Sequence, residues 1–242
     1  LLLGAGDAAH SAARNATSRT TRVALPAHSM AYWSVPRKGA NGGPTRVRPE
    51  WFRAAAAAGI EFVRLRPDDL APAGRDFLMG NADNYQGLVP ADVALLRTVL
   101  DEADRHGLKV VLTMFSLPGC RYKQRNGDRD DDRMWRDEKF QLQALRFWRD
   151  LAAELKDHPA IVAYNPLNEP HPERSHGIYS SRDTAFAPWF ARVRGTTSDV
   201  HRFNQRVVAA IREVDPATPI LLDGWFYADP EGFAYNQIGR AH

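Results

Sequence analysis

Apolar residues along the chain follow two patterns that alternate with each other. In residues 90–107, 140–159 and 199–216 they recur every three or four positions, as on one face of an amphipathic helix. A shorter helix is predicted over residues 51–59, where Gly59 ends it. Between the helical segments lie short apolar runs typical of strands, at residues 22–33, 60–67, 108–119, 160–170 and 218–230.

This succession of strand and helix segments predicts a parallel sheet whose crossover connections are helices. None of the strand-like runs is followed by a glycine-rich phosphate-binding turn, which argues against a doubly wound nucleotide-binding sheet. The predicted fold class is therefore α/β, a (β/α)8 TIM barrel. Polar and aromatic residues gather where the runs end, which is the edge at which TIM barrels carry their active sites.

The spacing of the strand-like runs predicts an incomplete barrel. Their centres fall near residues 26, 63, 112, 163 and 221, a mean spacing of about 49 residues, so eight strands need roughly 150 residues more than the chain has. We expect truncation after about the fifth strand, with residues 22–242 forming part of a catalytic domain. Because an unclosed barrel has unpaired strand edges, we expect residues 1–242 alone to be inactive, and either prone to aggregate or only partly ordered.

The first 21 residues precede this pattern and are small and polar. We interpret residues 1–21 as the remnant of a signal peptide or as a disordered linker, and we expect a secreted or periplasmic protein. The chain contains no run of 18 apolar residues, so no membrane partner is expected.

Composition argues against several further function classes. The formal net charge is +3, and the basic residues are interleaved with acidic ones, so no nucleic-acid partner is expected. The single cysteine, Cys120, excludes an internal disulfide and a cysteine-based zinc site. His171, Glu173 and His176 are close in sequence but lie among prolines and lack helical spacing, so we predict no metal and no other cofactor.

Glu169 is the first candidate for chemistry. It lies in "YNPLNEP", residues 164–170, directly after an apolar run, and is either a solvated turn residue or a proton donor in a cleft. Partial burial at the end of such a run raises the pKa of a carboxyl towards neutrality, which suits a general acid. Asn168 can hydrogen-bond a sugar hydroxyl, and Pro170 restricts the backbone that follows the glutamate.

The segments around these residues resemble glycoside hydrolase family 5, the cellulase-like (β/α)8 glycosidases. "FWRDLAAELKDHPAIVAYNPLNEPH" is similar to the fourth strand-helix unit of that family, "AAAAGIEFVRLRP" to its second strand and "REVDPATPILLDGWFYADPEGFAY" to its fifth. The resemblance implies that Glu169 is the acid/base catalyst, that Asn168 binds the sugar and that Arg64 orients the nucleophilic carboxylate. Arg66 points to the same side of its strand, and either arginine could instead be a structural ion-pair partner.

Two positions depart from the family pattern. Phe115 stands where the family has a histidine at the end of the third strand, which makes the substrate contact there apolar. The alternatives that follow are a divergent enzyme and a pseudoenzyme. The family's nucleophile is a glutamate at the end of the seventh strand, which we expect to be missing from this fragment, and Asp223 is interpreted as a structural or substrate-contact residue.

Aromatic residues near the strand ends are candidates for stacking on sugar rings. Trp33 and Trp225 are the predicted platforms, with core packing as the open alternative for both. Phe115 and His171 are predicted as further substrate contacts.

The predicted function is that of a retaining glycoside hydrolase that cleaves β-linked glycans of the glucan or mannan kind, with Glu169 as acid/base. The alternative is a carbohydrate-binding pseudoenzyme on the same barrel, and a third possibility is a related retaining family with the same fold. The expected partner is an oligosaccharide or polysaccharide, and the full-length protein is expected to be a monomer.

Overall fold

The computed structural model describes residues 30–70 and 74–235. Four strands pair in parallel, in the order in which they occur along the chain. They are β1 (Gly39–Asn41), β2 (Phe62–Leu65), β3 (Lys109–Thr113) and β4 (Ile161–Asn165). Each connection between neighbouring strands carries a helix, so the predicted repetition of strand-helix units is confirmed. Across the described residues the sheet is open and does not close into a ring.

Seven α-helical segments lie in the described parts of the chain: α1 (Pro49–Ala57), α2 (Pro90–Arg105), α3 (Glu138–Leu155), α4 (Phe186–Val193), α5 (Val200–Arg212), α6 (Trp225–Ala228) and α7 (Pro230–Phe233). The four helices predicted from the sequence correspond to α1, α2, α3 and α5, whereas α4 was not predicted. None of the helices described is long and apolar enough to cross a bilayer.

Local sequence signals explain where the long helices begin. Proline occupies the first helical position of α1 and α2, where a missing amide hydrogen costs nothing. At the start of α3 the Asp137 carboxylate accepts a hydrogen bond from the amide of Lys139. At the start of α5 the Asp199 carboxylate accepts from two amides of the first turn.

The two faces of the sheet contact different partners. Side chains of one face, Val63, Leu65, Val110, Leu112 and Tyr164, belong to the main hydrophobic core together with the helices. The opposite face packs Val111, Val162 and Ala163 against Tyr32, Trp33 and Phe62. Because both faces are covered, every residue of β4 is buried, as the continuous apolar run predicts.

The predicted fifth strand is reduced to a single parallel bridge between Tyr164 and Ile220. The Tyr164 amide donates to the carbonyl of Pro219 at 2.9 Å, and the Leu221 amide donates to the carbonyl of Tyr164 at 2.8 Å. The chain therefore takes the place beside β4 but leaves it after Leu221. The prediction of a strand up to residue 230 is wrong because the chain turns at Trp225–Ala228, where Phe226, Tyr227 and Ala228 have positive φ.

The predicted first strand over residues 22–33 is also wrong where it can be compared. Residues 22–29 lie outside the described residues, and Met30–Ser34 form a 3-10 helix. The first strand is Gly39–Asn41, and all three of its residues are exposed. An exposed edge strand buries no side chain, so it left no apolar run in the sequence.

Candidate active site

A pocket of about 220 Å³ lies at the carboxyl ends of the strands. Phe115 reaches it from the segment after β3, Asn168, Glu169 and His171 from the segment after β4, and Tyr227 from α6. The structure therefore brings four of the seven predicted site residues together around one cavity. Its position agrees with the edge at which barrels of this kind carry their active sites.

Arg64 lies behind the pocket and joins three strand ends. Its Nη2 donates to Oδ1 of Asn165 at 2.5 Å and to Oδ1 of Asn168 at 2.8 Å, and Oδ2 of Asp223 is 3.5 Å away. The side-chain nitrogen Nδ2 of Asn165 donates in turn to the carbonyl of Leu221 and to Oδ1 of Asp223. β2, β4 and the fifth-strand position are therefore held by one polar network.

Arg66 has a different set of partners. Its guanidinium forms an ion pair with Asp69 and lies over the rings of Phe115 and Tyr122, with centroids at 4.8 and 5.3 Å. Of the two arginines that the sequence left open, Arg64 is therefore the one bonded to Asn168.

The backbone of Glu169 has a left-handed conformation, with φ of +51°. Its amide donates to Oδ2 of Asp223 at 3.0 Å, and its side chain is exposed at the pocket. The partial burial that the apolar run led us to expect is wrong, because the turn carries the side chain beyond the strand end. Among the described residues, none donates a hydrogen bond to this carboxylate.

His171 and Tyr227 form an aromatic surface beside Glu169. Their rings stack with centroids 4.2 Å apart and an interplanar angle of 21°. His171 Nδ1 donates to the carbonyl of Glu169 at 2.5 Å, which holds the imidazole at the pocket. The phenol of Tyr227 remains 42% exposed and offers a ring face to a ligand.

Phe115 also lines the pocket and is in edge contact with Tyr122, at 5.0 Å between ring centroids. Its backbone amide donates to Asp68, which fixes the residue directly after β3. Phe115 is thus an apolar residue in the lining of the pocket, at the position where the sequence led us to expect an apolar contact.

A network of ion pairs supports the pocket wall that follows Cys120. Arg121 pairs with Asp76 and Asp83, and Arg133 pairs with Asp83 and Asp131. These contacts hold the pKa of Asp83 at about 2. Cys120 also lines the pocket, but burial raises the pKa of its thiol to about 12, so it stays protonated at neutral pH. Arg121 and Arg133, at the two ends of this charged loop, are thus held by ion pairs, whereas residues 127–130 between them are exposed.

A family model described as cellulase, glycosyl hydrolase family 5, matches residues 21–237. The chain belongs to glycosyl hydrolase family 5. The β-xylosidase of Phanerodontia chrysosporium is 30% identical over 147 residues, which are 60% of this chain and 26% of that protein.

Solved structures of similar fold include the Pseudomonas stutzeri endoglucanase Cel5A in complex with cellobiose. The alignment with this structure has a TM-score of 0.53 and 22% sequence identity, and it covers 79% of the present chain and 51% of the endoglucanase chain. Thermotoga maritima Cel5A in complex with mannotriose has a TM-score of 0.56 and 16% identity, covering 85% of this chain and 57% of that one. The family 5 chain thus shares the TIM-barrel fold and spans about half the length of these structures.

Two of the predicted sugar platforms of this family 5 chain lie elsewhere. Trp33 donates its Nε1 hydrogen to the carbonyl of Val162 and packs edge-on against Phe62, near the starts of the strands. Trp225 is fully buried and packs against Trp189 and Phe190. Neither lines the pocket, so both follow the core-packing alternative, because each indole is enclosed by apolar neighbours.

Sequence reasoning missed the roles of three residues in or near the pocket of this family 5 chain. Asn165 is the last residue of β4 and was not distinguished from the apolar run, although an amide at a strand end was a usable signal. Tyr227 provides the exposed ring that was assigned to Trp225. Glu173 is fully buried, and this burial raises the pKa of its carboxyl to about 7.

No group of three or more side chains that could hold a metal ion occurs within the described part of the chain.

Proposed function

We propose that this chain is the catalytic part of a retaining glycoside hydrolase that cleaves β-linked glycans of the glucan or mannan kind. The observation that carries the proposal is the placement of Glu169 at the pocket next to Asn168, whose side chain Arg64 binds, in a family 5 chain. Glu169 is the proposed acid/base.

The contacts of Asn168 support a role in sugar binding. Its Oδ1 accepts from Arg64, which leaves the amide nitrogen as a donor for a substrate hydroxyl. Glu169 stands beside it with its carboxyl group exposed at the pocket, where it can give a proton to the glycosidic oxygen and later take one from water.

A retaining mechanism needs a second carboxylate about 5 Å from the first. We assign this nucleophile to none of the described residues and propose that a glutamate outside this sequence supplies it. Arg64 uses Nη2 for its contacts with Asn165, Asn168 and Asp223, so its other guanidinium nitrogens can orient that carboxylate.

The substrate class rests on the relatives and on the pocket. The similar structures contain cellobiose and mannotriose, and the related protein of Phanerodontia chrysosporium is a β-xylosidase. The stacked pair of His171 and Tyr227 offers the kind of aromatic face on which the apolar side of a pyranose ring packs.

The test is Glu169→Gln in the full-length protein. Loss of the proton donor is expected to lower kcat on unactivated oligosaccharides by roughly 10²–10⁴-fold. Aryl glycosides with good leaving groups need no acid in the first step, so they should still release the aryl group in a burst. Glu50→Gln, at an exposed glutamate in the first turn of α1, is the control. Unchanged hydrolysis of cello- or manno-oligosaccharides by Glu169→Gln contradicts the assignment.

A carbohydrate-binding pseudoenzyme is the second candidate, and Phe115 favours it. This ring lies 5.8 Å from the guanidinium carbon of Arg64 and offers no hydrogen-bond donor at the third strand end. A pseudoenzyme binds cello- or manno-oligosaccharides in calorimetry without releasing products, and Glu169→Gln then leaves the affinity nearly unchanged.

A further inference from the structure

The segments that follow β4 and the fifth-strand position exchange a reciprocal pair of hydrogen bonds. Oδ2 of Asp223 accepts from the amide of Glu169 at 3.0 Å. In the opposite direction, Oε1 of Glu173 accepts from the amide of Phe226 at 3.2 Å. Each segment thus provides one carboxylate for the other segment's backbone.

Both amide donors belong to left-handed backbone. Glu169 has φ of +51° and Phe226 of +56°, and Tyr227 and Ala228 continue at +58° and +61°. Residues with a Cβ are unfavourable in this region, and they persist there only when their surroundings hold them. The two carboxylates therefore bind the backbone at the two places where it needs support.

These two strained positions carry pocket side chains. Glu169 presents its own carboxylate, and the turn that begins at Phe226 presents the ring of Tyr227. The α7 backbone closes the turn from another side, since a Cβ at Gly232 would lie 2.5 Å from the carbonyl oxygen of Trp225. A small shift of either turn would move the group that faces the ligand.

Glu173 is unfavourable for the stability of the folded protein at this position. It is fully buried, its Oε2 has no hydrogen-bond partner among the described residues, and burial raises the pKa of its carboxyl to about 7. A buried carboxyl with an unpaired oxygen lowers stability. Within the described residues its carboxyl accepts a hydrogen bond from one other segment, at the amide of Phe226, which suggests that its role lies in this contact.

We propose that Asp223 and Glu173 are positioning residues, Asp223 setting Glu169 for proton transfer and Glu173 setting Tyr227 for sugar stacking. The catalytic half of this inference rests on the proposed glycosidase function. The two residues act through different pocket groups, so their substitutions separate in the kinetics.

Asp223→Ala in the full-length protein is expected to lower kcat on substrates with poor leaving groups by at least about tenfold, while KM changes little. On aryl glycosides with good leaving groups the first step should change less than threefold or so, because it needs no acid. In a Glu169→Gln background Asp223→Ala should add little further loss, as expected for residues that act as one unit. Asp137→Ala removes a comparable carboxylate-to-amide bond at the start of α3 and controls for general destabilisation.

Glu173→Leu removes the acceptor for the Phe226 amide and is expected to raise KM several-fold with a smaller change in kcat. Glu173→Gln keeps an oxygen acceptor and should restore the affinity. Equal affinities of Glu173→Leu and Glu173→Gln overturn the role of Glu173. A loss with Asp223→Ala that is the same for good and poor leaving groups overturns the role of Asp223.

Amide hydrogen exchange tests the positioning without any assay of activity. The amide of Glu169 should exchange at least about tenfold faster in Asp223→Ala, and that of Phe226 in Glu173→Leu. The amide of Asn168 donates to the carbonyl of Met114 at 2.8 Å and is the internal control in both variants. If an alanine or leucine variant fails to fold, Asp223→Asn and Glu173→Gln are measured instead, with smaller accelerations expected for the same amides.

The outcomes separate the two hypotheses. Full activity of Glu169→Gln refutes the proposed function, whatever the exchange rates are. Inactive Glu169→Gln together with unchanged exchange at both amides refutes the positioning roles and leaves the proposed function intact.

Discussion

Two buried tryptophans show how the core around α3 differs from the turn that presents Tyr227 to the pocket. Trp148 of α3 is fully buried, and its Nε1 donates to the carbonyl of Pro166 at 2.9 Å. Trp225 of α6 is equally buried, but its Nε1 has no partner among the described residues. The Trp148 indole is therefore satisfied, whereas the segments around Trp225 also contain an unpaired oxygen of Glu173 and the left-handed residues Phe226, Tyr227 and Ala228. Several departures from local rules thus occur in the segments that present Glu169 and Tyr227 to the pocket.

The largest expected difference concerns the pH dependence of stability at Glu173. Its folded-state pKa is raised from 4.5 to about 7, chiefly by burial, and the neighbouring Arg174 acts in the opposite direction. Between these pH values the folded protein keeps a proton that the unfolded chain has lost, so stability falls as pH rises and the loss is complete above about 7.

Glu173→Gln removes this dependence because the amide does not titrate. The variant should match the wild type near pH 4 and exceed its free energy of unfolding by on the order of 3 kcal/mol at pH 8. Urea denaturation across this range measures the difference, with Glu50→Gln as the control. A constant difference at all pH values contradicts the burial of an uncompensated carboxyl.

The same substitution at the two tryptophans tests the comparison directly. Trp148→Phe leaves the carbonyl of Pro166 without its donor and is expected to cost about 1–3 kcal/mol. Trp225→Phe breaks no hydrogen bond among the described residues and should cost less than half as much. Equal losses in chemical denaturation would show that the Trp225 indole is as well satisfied as the Trp148 indole.

A glycine substitution should have opposite signs in the two regions. Ala153 is exposed within α3, and Ala153→Gly is expected to cost about 1 kcal/mol because glycine disfavours a helix interior. Ala228 has φ of +61°, so Ala228→Gly relieves strain and should stabilise by up to about 1 kcal/mol. Thermal denaturation of both variants measures the two changes in stability. A destabilised Ala228→Gly variant would contradict backbone strain in this turn.

Tyr227→Ala should have the smallest effect on stability, within about 0.5 kcal/mol, because the ring is 42% exposed. The same change removes the aromatic face beside Glu169 and should weaken oligosaccharide binding several-fold in calorimetry. Tyr179→Ala, at another exposed tyrosine, is the matched control. An unchanged affinity of Tyr227→Ala for oligosaccharide would contradict the proposed contact between this ring and the sugar.

Much of the fold could be predicted because burial imposes a period on the chain. Helices α1, α2, α3 and α5 and strands β2, β3 and β4 each bury a continuous or periodic set of apolar side chains. β1 and α4 were missed for different reasons. The exposed β1 buries nothing, and the aromatic residues of α4 lie in a short helix of only eight residues.

The site was predicted in part for a similar reason. The pocket contains Glu169, Asn168, Phe115 and His171 because each lies within two to six residues after a strand that the pattern locates. Trp33 and Trp225 were misplaced because an aromatic residue near a strand end packs equally well into a core or onto a ligand.

The amino-acid sequence by itself determined the strand-helix order, the buried face of each long element and the delivery of Glu169 to a strand end, since these depend on spacing along the chain. Only the tertiary structure decided that Arg64 bonds Asn168, that Asp223 and Glu173 support each other's segments and that Tyr227 is the exposed ring. Those contacts join residues that are distant in sequence, and left-handed turns set their directions, so no local period records them.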